Sequence, residues 1–157
     1  MTATAHALVA GAIASKFPDP VTAASLSLLS HFIMDTVPHW DIGTSWRNRS
    51  KRVTGLLAIL ETVVGIGIAF FVFKSTVALP ILALSIFFSL LPDWLETPWY
   101  IFFAHQKKHT PPSSASVAEQ MAYAIYKTEN LFHAKTSYPL GLVTQIVTVV
   151  FFLLLLK

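Results

Sequence analysis

The 157-residue chain contains no cysteine. A disulfide framework and any thiolate-bound metal or iron–sulfur site are therefore excluded, and a metal site would have to use imidazole, carboxylate and water. Charge is also scarce. Only 12% of residues are Asp, Glu, Lys or Arg, about half the share usual in soluble domains. Hydrophobic residues make up 54% of the chain and mean hydropathy is +0.62, so the bilayer is the expected solvent. No Lys or Arg precedes Lys16. The first apolar segment thus lacks the charged start of a secretory signal and is expected to belong to the mature fold.

The spacing of apolar runs and breakers predicts an all-α, polytopic membrane helix bundle in one integral membrane domain, residues 1–157, with about five transmembrane helices plus interfacial elements. Helices are expected at about Ala3–Phe17 and Val21–Val37, separated by Pro18-Asp19-Pro20, which cannot continue a helix. Ala3, Ala7, Gly11 and Ser15 recur at spacing four, a stripe of small residues suited to close helix packing. Val53–Phe73 and Thr76–Leu91 form a second expected pair of spans, and Pro139–Leu156 the last. After Pro92, the stretch Asp93–Ala104 has few apolar residues, and Trp94, Trp99 and Tyr100 suit the headgroup level, so it is expected to lie along the surface. His105 to Ser116 reads as a polar loop, with His105, Lys107, Lys108 and His109 solvated or facing anionic lipid. Val117–Phe132 carries Val117, Met121, Ile125 and Phe132 on one side and Glu119, Gln120, Lys127 and Asn130 on the other, the pattern of an interfacial amphipathic helix.

Five crossings would place the N-terminus, the segment Pro38–Arg52 and the segment Pro92–Tyr138 on one side. Eight of the eleven basic residues fall there, Arg47, Arg49, Lys51, Arg52, Lys107, Lys108, Lys127 and Lys135, which makes that side cytoplasmic by the positive-inside rule. The same topology gathers His6, Asp35, His39, Asp41, Asp93 and His133 at or just under that face. His31 and Glu61 lie deeper, each roughly 12 Å further in at helical rise. Ionisable groups at that depth are costly and need partners or a function.

The densest pattern is His31-Phe-Ile-Met-Asp35-Thr-Val-Pro-His39-Trp-Asp41. Spacing four puts His31 and Asp35 on one helix face, with Ser27 a turn earlier, and a helix ending at Pro38 can swing His39 and Asp41 back towards them. Imidazole and carboxylate so placed can chelate a divalent ion, zinc by default and manganese or iron as alternatives, and six or more candidates exceed what one tetrahedral ion needs. The competing reading is a hydrogen-bonded His31–Asp35 pair that only pins helices. Glu61, beside Ala58 and Gly65, is open to three roles: ligand, orienter of an imidazole, or neutral buried acid. Asp93 either caps a surface helix or joins the cluster, and His133 is a candidate ligand or proton donor.

Thr4-Ala5-His6-Ala7, Ser30-His31-x3-Asp35-x2-Pro38-His39-x-Asp41, Leu91-Pro92-Asp93, Phe132-His133-Ala134-Lys135 and Gly141-Leu142-Val143-Thr144-Gln145 together resemble the bacterial and archaeal inner-membrane proteins known as membrane-bound metal-dependent hydrolases. The His-x3-Asp pattern followed by a His is also similar to the metal-binding helix of zinc-dependent phospholipase C, although three residues separate Asp35 from His39 where those enzymes have five. The resemblance implies a metal-dependent hydrolase at the cytoplasmic membrane face, acting on a phosphoester of a lipid or lipid-linked substrate. Metal ligands would be His31, Asp35, His39 and Asp41, completed by His6, Asp93 or His133, with Glu61 or His133 moving protons. A bound divalent ion lowers the pKa of its water towards neutrality, so no Ser or Cys nucleophile is required. Membrane lipid is the expected partner, and nucleic acid is not. A metal- or proton-coupled transporter and a non-catalytic structural or partner-binding protein are the other classes the composition admits.

Overall fold

A computed structural model describes residues 1–44, 46–104 and 110–157. The expectations for His105, Lys107, Lys108 and His109 lie outside the described residues. Within them the chain is all-α, with six α-helices: α1 (Ala3–Lys16), α2 (Pro20–Asp35), α3 (Lys51–Phe73), α4 (Leu79–Pro98), α5 (Val117–Phe132) and α6 (Leu140–Leu155).

The starts of these helices follow from local chemistry. Thr2, Asp19, Ser50 and Ser116 each turn a side-chain oxygen onto the backbone N–H three residues on, satisfying a donor that the helix cannot. Pro20 and Pro80 fall in the first turn of their helices, where a missing N–H costs nothing.

Pro92 does not end its helix. α4 runs through it to Pro98 and continues as a π-helical turn over Trp99–Phe103, so the segment expected on the surface is instead the end of a 25-residue rod. Proline removes one N–H and crowds the preceding turn, which loosens a long packed helix without stopping it. Trp99, expected at the headgroup level, is buried against Tyr123 and Tyr126 of α5.

α1 is the central helix. It packs against α2, α3, α4 and α6, and Ala7, Val9 and Ala10 are wholly buried. Its small side chains bring neighbours close. A Cβ added at Gly65 of α3 would lie 2.7 Å from the Thr4 backbone nitrogen, and one at Gly11 would strike the Phe73 ring. Ala3, Ala7, Ala10 and Ala14 form a core with Ala69 and with Leu82, Ile86 and Leu90 of α4. Ser15, the last member of the expected stripe, is exposed, and Ala14 takes its place.

The outer surface is apolar. Leu56, Val63 and Phe71 of α3 and Val147, Phe151 and Leu154 of α6 are all exposed. Two helical rods, Lys51–Phe73 and Leu79–Phe103, are long and apolar enough to cross a membrane. α1, α2 and α6, at 14, 16 and 16 residues, reach about 21–24 Å, short of a full span, so five full-length spans are not found. On α5 the inner face is Ala122, Tyr123 and Tyr126, while Val117, Met121 and Leu131 are exposed.

Candidate metal centre

At one end of the bundle, α1, α2, the loop after α2, α4 and the end of α5 converge. α1 is clamped there by its neighbours. The Ala3 N–H donates to Glu61 Oε1 (2.8 Å) and the Thr2 N–H to Gln145 Oε1 (2.9 Å), so α3 and α6 supply the capping acceptors. Glu61 therefore acts on the centre by fixing the start of the helix that carries His6. The Met1 amine also contacts Asp35 Oδ1.

The loop carrying His39 and Asp41 is pinned by backbone hydrogen bonds to the end of α5. Ala134 N–H donates to the Asp35 carbonyl (2.8 Å), His39 N–H to the Ala134 carbonyl (3.0 Å), and Thr136 N–H to the His39 carbonyl (2.9 Å). This short parallel bridge delivers His133 to His39. The start of α6 lies against the same loop, where a Cβ at Gly141 would sit 2.4 Å from the Trp40 nitrogen.

Asp35 is the hub. Its Oδ1 lies 3.2 Å from His6 Nε2 and 3.8 Å from His39 Nε2, and its Oδ2 lies 3.6 Å from His31 Nε2 and 3.7 Å from His133 Nδ1. His6, His31 and His39 are wholly buried, and the His6 and His31 rings stack with centroids 4.2 Å apart. The ligand atoms of His6, His31 and Asp93 lie within 4.8 Å of one another, as do those of Asp35, His39 and His133. Asp35 belongs to the second group, and its oxygens also lie beside His6 and His31 of the first.

The hydrogen bonds around the imidazoles assign their protons. His31 Nδ1 is 2.7 Å from the Ser89 carbonyl and His39 Nδ1 is 2.8 Å from the Val37 carbonyl. Carbonyls only accept, so both Nδ1 atoms carry hydrogen and both Nε2 atoms turn a lone pair inward. His133 Nε2 lies 2.9 Å from Asp41 Oδ2. It donates there, which leaves Nδ1 as the lone-pair nitrogen, facing Asp35. His31 Nε2, His39 Nε2 and His133 Nδ1 lie 3.6–3.8 Å from the Asp35 oxygens, too far for hydrogen bonds, while His39 Nε2 meets His133 Nε2 at 2.8 Å and the Met1 ammonium pairs with Asp35 Oδ1. Both His6 nitrogens and His31 Nε2 are buried without a hydrogen-bond partner, an arrangement that costs free energy unless something else satisfies it. A cation does so. Two donors about 2.0–2.2 Å from one ion are at most about 4.4 Å apart, and the observed spacings around Asp35 fit within that.

Asp41, a ligand candidate by sequence, orients His133 and pairs with Lys135 Nζ at 3.5 Å. Burial raises its carboxyl pKa, but the hydrogen bond from His133, the His39 imidazole at 3.6 Å and the Lys135 charge prevail and hold it well below the usual carboxylate range. Burial, joined by the Lys135 charge, pushes the His133 imidazole below its ordinary value against the pull of Asp41, which favours the neutral form that ligates metal.

One acidic neighbour was not singled out by sequence. Glu129 Oε2 lies 3.9 Å from His31 Nε2, and burial, with the charges of Asp93 and Asp35 adding, pushes its carboxyl up to about 7. The signal was its place four residues before His133, on the face that carries Ala122 and Tyr126.

A cleft opens beside the centre, lined by Glu61, Asp41, Asp93, His133, Lys135 and Glu96 among others. One member of each three-ligand group, Asp93 and His133, therefore borders the same space as the Lys135 cation and the acids Glu61 and Glu96. No protein-family model, curated protein sequence or solved structure matches this chain.

Proposed function

We propose that this chain is a multi-pass protein of the inner (plasma) membrane, with its N-terminus cytoplasmic, that hydrolyses a phosphoester of a lipid or lipid-linked substrate at a two-metal centre. The observation that carries the reading is the pair of three-ligand groups gathered beside Asp35, with both His6 nitrogens and His31 Nε2 buried without a hydrogen-bond partner. His6, His31 and Asp93 would hold one ion, and His39 and His133 the other, with Asp35 between them. Zinc fits this nitrogen-and-oxygen donor set first, and manganese or iron would also be accepted. A pair of divalent ions supplies Lewis acidity and an activated water for in-line displacement at phosphorus.

The protein's own groups divide the remaining work. Asp41 fixes the His133 ring, and Glu61 fixes the start of α1. Lys135, partly exposed at the cleft, meets the negative charge of the phosphoryl group. Glu129, with a pKa of about 7, is suited to exchange protons near neutral pH. The apolar flanks of α3 and α6 face lipid, and the short helices α1 and α2 complete the bundle behind α3 and α4. The excess of basic residues on the side of the centre supports a cytoplasmic-face orientation by the positive-inside rule.

The test is phosphate release from lipid phosphoesters in vesicles by protein stripped with a chelator and reloaded with zinc, manganese or iron. Activity should return with metal and vanish in Asp35→Asn. Metal-loaded protein that cleaves no lipid phosphomonoester or phosphodiester would overturn the reading.

A further inference from the structure

A second cavity lies outside the centre. Its wall is apolar, formed by one face each of α3 and α4. On α3, Thr62, Ile66 and Phe70 follow one another at spacing four. On α4, Leu79, Ala83, Phe87 and Trp94 line the same side, with Leu82, Ile86 and Leu90 buried as its floor. The helices leave this slot because each packs mainly on other elements, α3 on α1 and α4 on α1 and α2. Phe70, Leu79 and Phe87 remain exposed although nothing polar borders them.

Two features connect the groove to the centre. Thr62 and Trp94 line both the groove and the polar cleft, so one space leads into the other. The groove also lies on the two helices long and apolar enough to cross a membrane. From Leu79 to Trp94 it runs about 22 Å at helical rise, longer than the roughly 15 Å of one leaflet's hydrocarbon.

We infer that the α3–α4 groove holds the acyl chain of a membrane phospholipid that enters sideways from the bilayer, with its phosphate in the cleft beside Lys135 and the metal centre. The inference rests on the hydrolase reading for the fate of the phosphate, and it adds the lipid-binding site and its direction of entry. A chain in the groove covers exposed Phe70 and Phe87, and the opening at Thr62 and Trp94 sets the headgroup at the depth of Asp93 and His133. The substrate is thereby a phospholipid with at least one long acyl chain, rather than a water-soluble ester.

Metal-loaded protein in phosphatidylcholine vesicles would be photolysed with phosphatidic acid carrying a diazirine on one acyl chain, and the labelled residues mapped by mass spectrometry. Labelling should concentrate on Ile66, Phe70, Ala83 and Phe87 over the lipid-facing Val147, Phe151 and Leu154 of α6, and should be displaced by unlabelled phosphatidic acid but not by diacylglycerol. Ala83→Trp should cut both the labelling and the cleavage of long-chain phosphatidic acid several-fold, with para-nitrophenyl phosphate cleavage and metal content unchanged. Leu79→Trp, at the far end, should spare eight-carbon chains and penalise eighteen-carbon ones. Equal labelling of the groove and α6 would overturn the groove, and labelling that diacylglycerol displaces equally well would overturn the seating of the phosphate in the cleft. Wild-type protein that cleaves neither ester yet labels in the groove would overturn the hydrolase reading and leave the lipid site standing.

Discussion

Gly141→Ala tests whether the centre depends on a contact that touches no ligand side chain. The added Cβ would lie 2.4 Å from the Trp40 backbone nitrogen and 2.8 Å from the His39 carbonyl carbon. To reach ordinary contact at 3.4 Å, the loop and α6 must separate by about 1 Å, and backbone atoms have no rotamer by which to yield. Metal ligands tolerate displacements of only about 0.2 Å, so a His39 shift of that size would cost the ion proposed for Asp35, His39 and His133. The strain itself should destabilise the fold by about 1–3 kcal/mol. Metal content per chain, measured by elemental mass spectrometry on folded, detergent-solubilised protein, should fall by about one ion. Gly67→Ala, where a Cβ meets nothing within 4 Å, should leave it unchanged. A Gly141→Ala protein with native helicity and native metal content would refute the reasoning.

Asp35→Asn should remove both ions, whereas His133→Ala should remove one, each with an affinity loss beyond the roughly 10–100-fold typical of residues that only orient a ligand; equal losses in chelator-competition titrations would exclude a shared carboxylate. Gly65→Ala should push α3 away from Thr4 and lower stability by about 1–3 kcal/mol, with Gly55→Ala as the neutral comparison in thermal unfolding. Glu129 has a folded pKa near 7 against an ordinary 4.5, so the folded chain holds the extra proton between those values, and metal-free protein should lose stability as pH rises through that window. Glu129→Gln should flatten that slope by up to about 1.4 kcal/mol per pH unit, measured by denaturant unfolding of chelator-treated protein; an unchanged slope would exclude Glu129 as its source.

Most helix starts were legible because their causes are local: a Ser, Thr or Asp cap, or a proline pair such as Pro18 and Pro20. Pro92 misled because what carries α4 past it is not local. Its buried face against α1 and α2 keeps the rod intact, and the Ser89 carbonyl in the loosened turn accepts from His31. In α5 the sequence's apolar stripe proved to be the outward face, since the inward contacts are made by Ala122 and the tyrosines, residues that hydrophobicity alone ranks low. The pattern His31, Asp35, His39 was visible as spacing, but the division of labour was not. Asp41 became an orienting partner, and Glu61 a helix cap, through contacts 92 and 58 residues apart in the chain.

The central claim is that Asp35 and the imidazoles around it hold divalent metal. Protein purified without a metal-affinity step, assayed by elemental mass spectrometry against protein concentration, should carry about two divalent ions per chain. Restoring metal to stripped protein at 100 times its Kd should add about 2.7 kcal/mol of stability. Metal-free protein whose unfolding temperature does not rise with zinc, manganese or iron would contradict the account.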